Sequence, residues 1–170
     1  VLTGDFLFGQ SGALVAGLGS PEIMRVFSWA VMEVVQGEML RPTVDADLDA
    51  TERDYLAKIR GKTAALLAMA CETGAMLDSD DEVARTAHHR YGMSLGMAFQ
   101  IVDDILDFTA TEAELGKPVG HDLDQGTITL PSLLYLREHP GDTIVRAHFT
   151  GGEGLGEGAT LEAVAAVRAS

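Results

Sequence analysis

A stretch near the middle of the chain, FQIVDDILD at residues 99–107, places three aspartates among apolar side chains. At 100° per residue on a helix, four polar side chains share an arc of about 100°. They are Asp103, Asp107, Gln100 and Asp104. The rest of the circumference is apolar. Such a stripe faces either water or a polar cavity in which oxygen ligands hold a divalent cation such as Mg2+.

Both interpretations of this stripe stay open when only its own residues are considered. Arg85 and His89 lie upstream at nearly the same angle, which favours a solvated face. From Gly92 onward, however, the stripe holds no lysine or arginine. Aspartates one turn apart repel each other by about 0.2–0.5 kcal/mol per pair, so a helix gains nothing from this arrangement unless a cation is bound.

The composition favours one globular domain and disfavours several partners. With 170 residues, 46% of them hydrophobic, the chain can bury a core. Its net charge of −14 disfavours nucleic acid and anionic membranes, and an anionic substrate would need recruited metal cations. The single cysteine, Cys71, favours a reducing compartment, and no apolar run is long enough for a membrane span. Since the chain begins at Val1, we expect a processed or truncated start.

Helix signals run along the chain, and no alternating pattern is long enough to predict a strand. We predict helices over about 5–18, 21–40, 51–73, 80–108, 131–136 and 161–168. Ser20-Pro21 and a capping-box pattern at Thr51–Asp54 mark two of the starts. The prediction is an all-α protein with one domain at 1–140, a flexible glycine-rich segment at 141–158 and a short helix at 159–170.

Two further segments carry candidate site residues. Lys62, followed by Thr63, lies on the apolar stripe of the third predicted helix. A buried ammonium there needs an anion, so the lysine either extends to the surface or pairs with a phosphate. In the loop Leu115–Leu123, two glycines allow close approach to a ligand, while Lys117 and Asp122 add a cation and an oxygen ligand. A solvated loop is the alternative.

Taken in order, these segments resemble the trans-isoprenyl diphosphate synthases, also called polyprenyl synthetases. The matching segments are Lys62-Thr63-Ala64, Phe99–Asp107, Gly116-Lys117-Pro118 with Gly120 and Asp122, and Thr129-Leu130-Pro131; Gly4–Phe8 and Gly37-Glu38 also match. The resemblance covers residues 4 to about 136. Each motif alone is weak to moderate support, but the ordered set is highly specific.

The resemblance implies a helical bundle of the isoprenoid synthase type. In that family, two aspartate-rich motifs face each other across a cavity and hold three Mg2+ ions on the diphosphate of an allylic substrate. Residues 103–107 resemble the second motif. Asp103 would be the principal ligand, and the whole metal group would be Asp103, Asp104, Asp107 and Asp122.

The resemblance also implies roles for the remaining candidates. Lys62 and Lys117 would bind the diphosphate, and Thr63 and Gln100 would direct oxygen dipoles toward the carbocation left behind. Isopentenyl diphosphate would then attack that cation to give a longer polyprenyl diphosphate. A cytoplasmic homodimer without a nucleic-acid partner or a membrane span is implied as well.

Two departures from the family pattern limit these expectations. Thr127 stands where the family has a lysine, and the family's first aspartate-rich motif lies upstream of the segment that matches Gly4–Phe8, at which this chain begins. We therefore expect the C-terminal portion of a synthase, inactive alone. A non-catalytic regulatory or stabilising subunit of a prenyltransferase complex is the alternative. A carboxylate-bridged di-metal protein would need Glu-x-x-His pairs, which the sequence lacks.

Overall fold

The computed structural model describes residues 1–44, 47–116, 118–150 and 158–170. All regular elements in these residues are helical and none is a strand, which confirms the predicted all-α class. The helices are α1 Leu2–Ala16, α2 Pro21–Met39, α3 Leu48–Ile59, α4 Ala65–Asp78, α5 Glu82–Thr109, α6 Glu112–Leu115, α7 His121–Asp124, α8 Leu130–Glu138, α9 Ile144–Ala147 and α10 Ala159–Ala169. A π-helical turn, Arg60–Ala64, joins α3 to α4.

The chain forms two compact units, which are described separately. Unit 1 comprises residues 1–39 and 60–97, and unit 2 comprises residues 40–59 and 98–170. Most predicted helices are observed close to their predicted bounds. The predicted loop over 110–126 instead contains α6 and α7, and the described part of the predicted glycine-rich segment contains α9. Residues 151–157 of that segment lie outside the described residues.

Side-chain caps explain where two of the helices begin. α2 begins at Pro21 as predicted, and the hydroxyl oxygen of Ser20 accepts a backbone N–H of its first turn at 3.3 Å. α3 begins at Leu48, earlier than the predicted start at Thr51. The reason is that the Asp47 carboxylate accepts two backbone N–H groups of the first turn, at 3.0 and 3.1 Å. Thr51 is buried inside the helix instead of capping it.

Helices of unit 1 approach each other at glycines. α2 crosses the π-helical turn where Gly37 meets Gly61, and a Cβ on Gly37 would lie 2.5 Å from the backbone nitrogen of Lys62. Similarly, a Cβ on Gly92 of α5 would lie 2.7 Å from the Cα of Ala68 on α4. No larger side chain fits at these crossings without movement of the backbone. Glycine at positions 37 and 92 therefore sets the spacing of these helices.

Helix α1 is apolar but packs little of its surface. None of its residues is buried, and Phe6, Leu7, Phe8 and Leu14 are all exposed. Apolar surface of this extent is typical of an interaction site. Among the described helices, none has both the length and the apolarity needed to cross a bilayer.

Unit 2 has its own apolar core, which holds the end of α5 against α8, α9 and α10. The buried members are Phe108, Leu123, Tyr135, Leu136, Val145, Ala163, Val164 and Val167. Arg168 on α10 donates hydrogen bonds to the carbonyl oxygens of Phe108 and Ala110, the latter over 3.1 Å. These carbonyls lie at the C-terminal end of α5, where carbonyl oxygens have no hydrogen-bond donor within the helix. The C-terminal helix thus anchors the segment that follows the aspartates.

Candidate active site

Two of the three aspartates on α5 are buried more deeply than several apolar side chains of the same segment. Asp107 is 1% exposed and Asp104 is 4% exposed, whereas Phe99 is 62% exposed and Val102 is 53% exposed. Asp103 is exposed. A helix on a protein surface ordinarily buries its apolar stripe and exposes its charges. The solvated-face interpretation therefore fails for Asp104 and Asp107.

Asp104 is held by hydrogen bonds to both of its carboxylate oxygens. The Tyr55 hydroxyl on α3 donates to Oδ2 over 2.7 Å, and Nε2 of Gln100 donates to Oδ1 over 2.9 Å. Burial raises the pKa of Asp104 above its ordinary value of 3.8, and the charges of Asp103 and Asp107 raise it further, against the lowering effect of these two hydrogen bonds. Burial and the Asp104 carboxylate likewise raise the pKa of Tyr55.

Asp107 organises the loop that follows the helix. Its Oδ2 accepts the backbone N–H of Asp122 over 3.0 Å, and its backbone carbonyl accepts the N–H of Gly120 over 2.9 Å. Gly120 has a φ of +75°, and a Cβ there would lie 2.5 Å from a methyl carbon of Val164. Glycine is therefore required at position 120 for both conformation and space. Lys117, predicted to bind diphosphate, lies outside the described residues.

The predicted metal ligands do not form a closed cage within the part of the chain that the structure describes. Among the described residues, no three carboxylate, imidazole or thiol side chains converge on one point. Mg2+ ordinarily keeps several waters and takes one or two protein carboxylates together with substrate phosphates. Exposed Asp103 offers an oxygen donor of that kind, whereas Asp104 and Asp107 are engaged by neighbours in the fold. The donor set fits Mg2+ bound together with a diphosphate.

Lys62 and Thr63 lie in the π-helical turn of unit 1. The face that carries Lys62 was predicted to be buried, but its side chain is 48% exposed and its Nζ lies 3.5 Å from Oε2 of Glu38, so the alternative of a lysine that extends to the surface is the one observed. The wider π turn shifts the phase of the helix, so the stripe extrapolated from α3 no longer applies beyond Ile59. Because Gln100 and the aspartates belong to unit 2, a cavity shared with Lys62 stays a prediction.

Tyr55 is the site residue that sequence reasoning missed. Its partner, Asp104, lies 49 residues further along the chain, so no local spacing connects the two. Tyr55 lies on the apolar face of the third predicted helix, and the one available signal was that a buried tyrosine hydroxyl usually has a hydrogen-bond partner. Thr127, the departure from the family pattern, is half-buried, and its backbone N–H donates to the carbonyl of Asp122 over 2.7 Å.

Comparison with known proteins places the chain in a family. The polyprenyl synthetase family matches residues 1–164. Component 2 of heptaprenyl diphosphate synthase from Bacillus subtilis is 41% identical over 138 residues, which is 81% of this chain and 39% of that protein. Heptaprenyl diphosphate synthase from Staphylococcus aureus has a TM-score of 0.88 and 32% identity over 99% of this chain and 52% of its own.

A third relative carries ligands. The polyprenyl synthase from Caulobacter crescentus, complexed with calcium and isoprenyl diphosphate, has a TM-score of 0.86 and 32% identity over 99% of this chain and 52% of its own. The chain thus spans about half, or less, of the length of the relatives it matches. Its fold is the helical fold of the isoprenoid synthases. From sequence and structure together, the chain belongs to the polyprenyl synthetase family.

Proposed function

We propose that the chain carries the second acidic motif of a Mg2+-dependent prenyltransferase, which joins an allylic diphosphate to isopentenyl diphosphate in isoprenoid biosynthesis. Membership of the family supports this proposal. The observation that carries it is the burial of Asp104 and Asp107 on a helix segment where Phe99, Val102, Ile105 and Leu106 are exposed. Burying carboxylates costs free energy, and a bound cation offsets that cost.

The aspartates have graded roles in this proposal. Asp103 is the direct Mg2+ ligand because its carboxylate is exposed, and Asp107 and Asp122 act directly or through water. Asp104 is buried and adds negative charge to this group of metal-binding aspartates. When bound, Mg2+ neutralises charge on the departing diphosphate. The Caulobacter synthase, complexed with calcium and isoprenyl diphosphate, supports a divalent cation beside this class of ligand.

The other candidates act on the substrate. The C1–O bond of the allylic diphosphate breaks and its electron pair leaves with the diphosphate, whose charge Lys62 and Lys117 offset. The proposed role of the Thr63 and Gln100 oxygen dipoles is to stabilise the allylic cation. The double bond of isopentenyl diphosphate supplies the electron pair for the new C–C bond, and loss of a proton yields an allylic diphosphate one C5 unit longer.

Calorimetry with Mg2+ and inorganic pyrophosphate tests the proposed diphosphate site on this chain. Binding is expected to require both components, and Asp103→Asn should weaken it about tenfold, equivalent to about 1.4 kcal/mol. Asp54→Asn is the matched control, since Asp54 is an exposed aspartate of the same unit outside the site. Equal affinities for the wild type and Asp103→Asn would overturn the proposed metal site.

We also propose that the chain is cytoplasmic and acts as a homodimer. The family resemblance implies both properties, and the exposed apolar surface of α1 supports association with a second copy. Sedimentation of the wild type and of Phe6→Ser tests the dimer. A monomeric wild type, or an unchanged dimer after this substitution, would contradict an interface at α1.

A second candidate function is a non-catalytic subunit of a prenyltransferase complex. The similarity to a protein named component 2 of heptaprenyl diphosphate synthase supports a function that requires a partner subunit. Asp103→Asn separates the two candidates when the chain is assayed with its partner. A catalytic role predicts loss of the condensation product, whereas a supporting role predicts unchanged product formation.

A further inference from the structure

We propose that Tyr55 and Asp104 are positioning residues that fix the side-chain amide of Gln100, so that its oxygen is presented to the allylic cation. That carbocation belongs to the proposed function, on which this part of the inference rests. The orientation of the amide is argued from contacts within unit 2, independently of the proposed function. The two parts can therefore fail separately.

The carboxylate of Asp104 connects Tyr55 to Gln100. Oδ2 accepts the Tyr55 hydroxyl over 2.7 Å, while Oδ1 accepts Nε2 of Gln100 over 2.9 Å. Tyr55 is 1% exposed and Asp104 is 4% exposed, so close packing restrains both side chains. Since one oxygen is bonded to a tyrosine on another helix, rotation of the carboxylate would break that bond. The second oxygen is thereby aimed at Gln100.

The chemistry of the partners determines which end of the amide faces them. An ionised carboxylate only accepts hydrogen bonds, so the amide must present its nitrogen to Asp104. Asp103 reinforces this choice, because its carboxylate oxygen lies 3.5 Å from the same Nε2 atom. A flipped amide would place its oxygen against two carboxylates. Because the amide group is planar, its oxygen is directed away from both aspartates.

A fixed dipole is useful where positive charge develops. A glutamine side chain has several rotatable bonds, and ordering it during the reaction would cost free energy. An amide that is already oriented stabilises a cation without such reorganisation. Asp104 thus acts through Gln100, and Tyr55 acts through Asp104.

The first test measures the Gln100 amide by NMR on the 15N-labelled chain, with its signal assigned by disappearance in Gln100→Met. In Tyr55→Phe, the chemical shifts of the two Gln100 side-chain amide protons should approach those of exposed glutamines. These protons should also exchange faster with water. Asp104→Asn should have the same effect, because an asparagine amide can present either end to Gln100. This second variant keeps the test decisive if Tyr55→Phe does not fold.

Tyr135→Phe is the matched control for Tyr55→Phe. Tyr135 is also buried in unit 2, and its hydroxyl donates to Asp142 over 3.0 Å. Losing this hydroxyl should leave the Gln100 signal in place. An unchanged signal in the folded Tyr55→Phe or Asp104→Asn variants, or an equal change in Tyr135→Phe, would overturn the positioning role.

The second test compares two probes in the presence of Mg2+, a prenyl diphosphate analogue with an ammonium nitrogen near C1 and its neutral carbon isostere. The wild type should prefer the ammonium probe, and Tyr55→Phe should reduce that preference about fivefold, equivalent to about 1 kcal/mol, while Tyr135→Phe preserves it. A preference that survives in Tyr55→Phe contradicts the inference. If neither probe binds the wild type, the proposed function fails, and the amide signal still decides the positioning role.

Discussion

Two groups of acidic side chains in this molecule differ in whether basic side chains pair with their carboxylates. The Glu72 cluster of unit 1 consists of Glu22, Glu72, Arg85 and His89. There Arg85 and His89 donate to the two Glu72 carboxylate oxygens over 2.7 and 2.8 Å. The aspartate cluster of unit 2 consists of Asp103, Asp104 and Asp107. Within the described residues, no ion pair joins Asp103 or Asp104 to a basic side chain.

The pKa values of the two clusters follow this difference. Burial alone would raise the pKa of Glu72, but hydrogen bonds from Arg85 and His89 outweigh burial and lower it. Burial raises the pKa of Asp104, and neighbouring aspartates add to the effect. A carboxylate neutralised by the protein's own cations stabilises the fold, whereas Asp103 and Asp104, which form no ion pair with a described basic side chain, are suited to an external cation. This contrast separates a structural cluster from a candidate site.

Ligand binding should stabilise the folded chain through the aspartate cluster alone. With Mg2+ and pyrophosphate at about one hundred times the dissociation constant, the free energy of unfolding should rise by about 2.7 kcal/mol. Urea unfolding with and without the ligands measures this increase. Arg85→Met should retain it and Asp103→Asn should lose most of it. A similar increase in both variants would remove the distinction between the clusters.

Removing the cation of the Glu72 cluster should destabilise the fold. Arg85→Met leaves Glu72, whose side chain is 13% exposed, without its guanidinium partner. We expect a loss of about 2 kcal/mol in the free energy of unfolding, somewhat below the cost for a fully buried pair. Arg25→Met is the control, because Arg25 contacts Glu22 at 3.6 Å in an exposed pair. It should cost at most about 0.5 kcal/mol, and equal losses would contradict the structural role of Arg85.

The two clusters should also respond oppositely to pH. The contribution of Glu72 is present above its unfolded pKa of 4.5 and is lost as pH falls through its lowered folded pKa. The contribution of Asp104 is present below 3.8 and is lost as pH rises through its raised folded pKa. Glu72→Gln should therefore reduce the loss of stability on acidification, and Asp104→Asn should reduce the loss on raising pH. Urea unfolding of the wild type and both variants at a series of pH values measures these changes in the free energy of unfolding. The same pH dependence in the two variants would contradict the prediction.

The smallest expected effect is a slight stabilisation by Asp103→Asn in the absence of metal. Asp103 and Asp107 lie one helical turn apart, and removing one charge relieves about 0.3 kcal/mol of repulsion. Asp54→Asn should leave the free energy of unfolding unchanged. Chemical denaturation of the three proteins in a chelating buffer gives the comparison. A clear destabilisation by Asp103→Asn would mean that Asp103 supports the fold and is not reserved for a ligand.

Local signals in the sequence were sufficient to predict most of the helices and to identify the acidic motif. Proline at position 21 and its preceding serine located the start of α2, and periodicity located α5. The π-helical turn was not predictable in this way, because it lies at the backbone contact of Gly37 with Gly61, a tertiary feature. Helical angles extrapolated across that turn placed Lys62 on a face predicted to be buried, whereas its side chain is 48% exposed.

The chemistry of the acidic stripe was predicted better than its geometry. Spacing brought Gln100 and the three aspartates onto one face, but it could not distinguish exposed Asp103 from buried Asp104. That distinction depends on Tyr55, which reaches Asp104 from another helix. Contacts between distant segments are outside the reach of periodicity, which describes one helix at a time.

Paramagnetic broadening by Mn2+, used in place of Mg2+ with pyrophosphate, tests whether α5 holds a metal–diphosphate site. Backbone and side-chain signals around residues 100–107 are expected to broaden first, and those of Glu72, Arg85 and His89 are expected to stay sharp. Asp103→Asn should suppress the broadening, whereas Asp54→Asn should preserve it. Broadening centred on the Glu72 cluster, or none at the aspartates with pyrophosphate present, would contradict a metal–diphosphate site on α5.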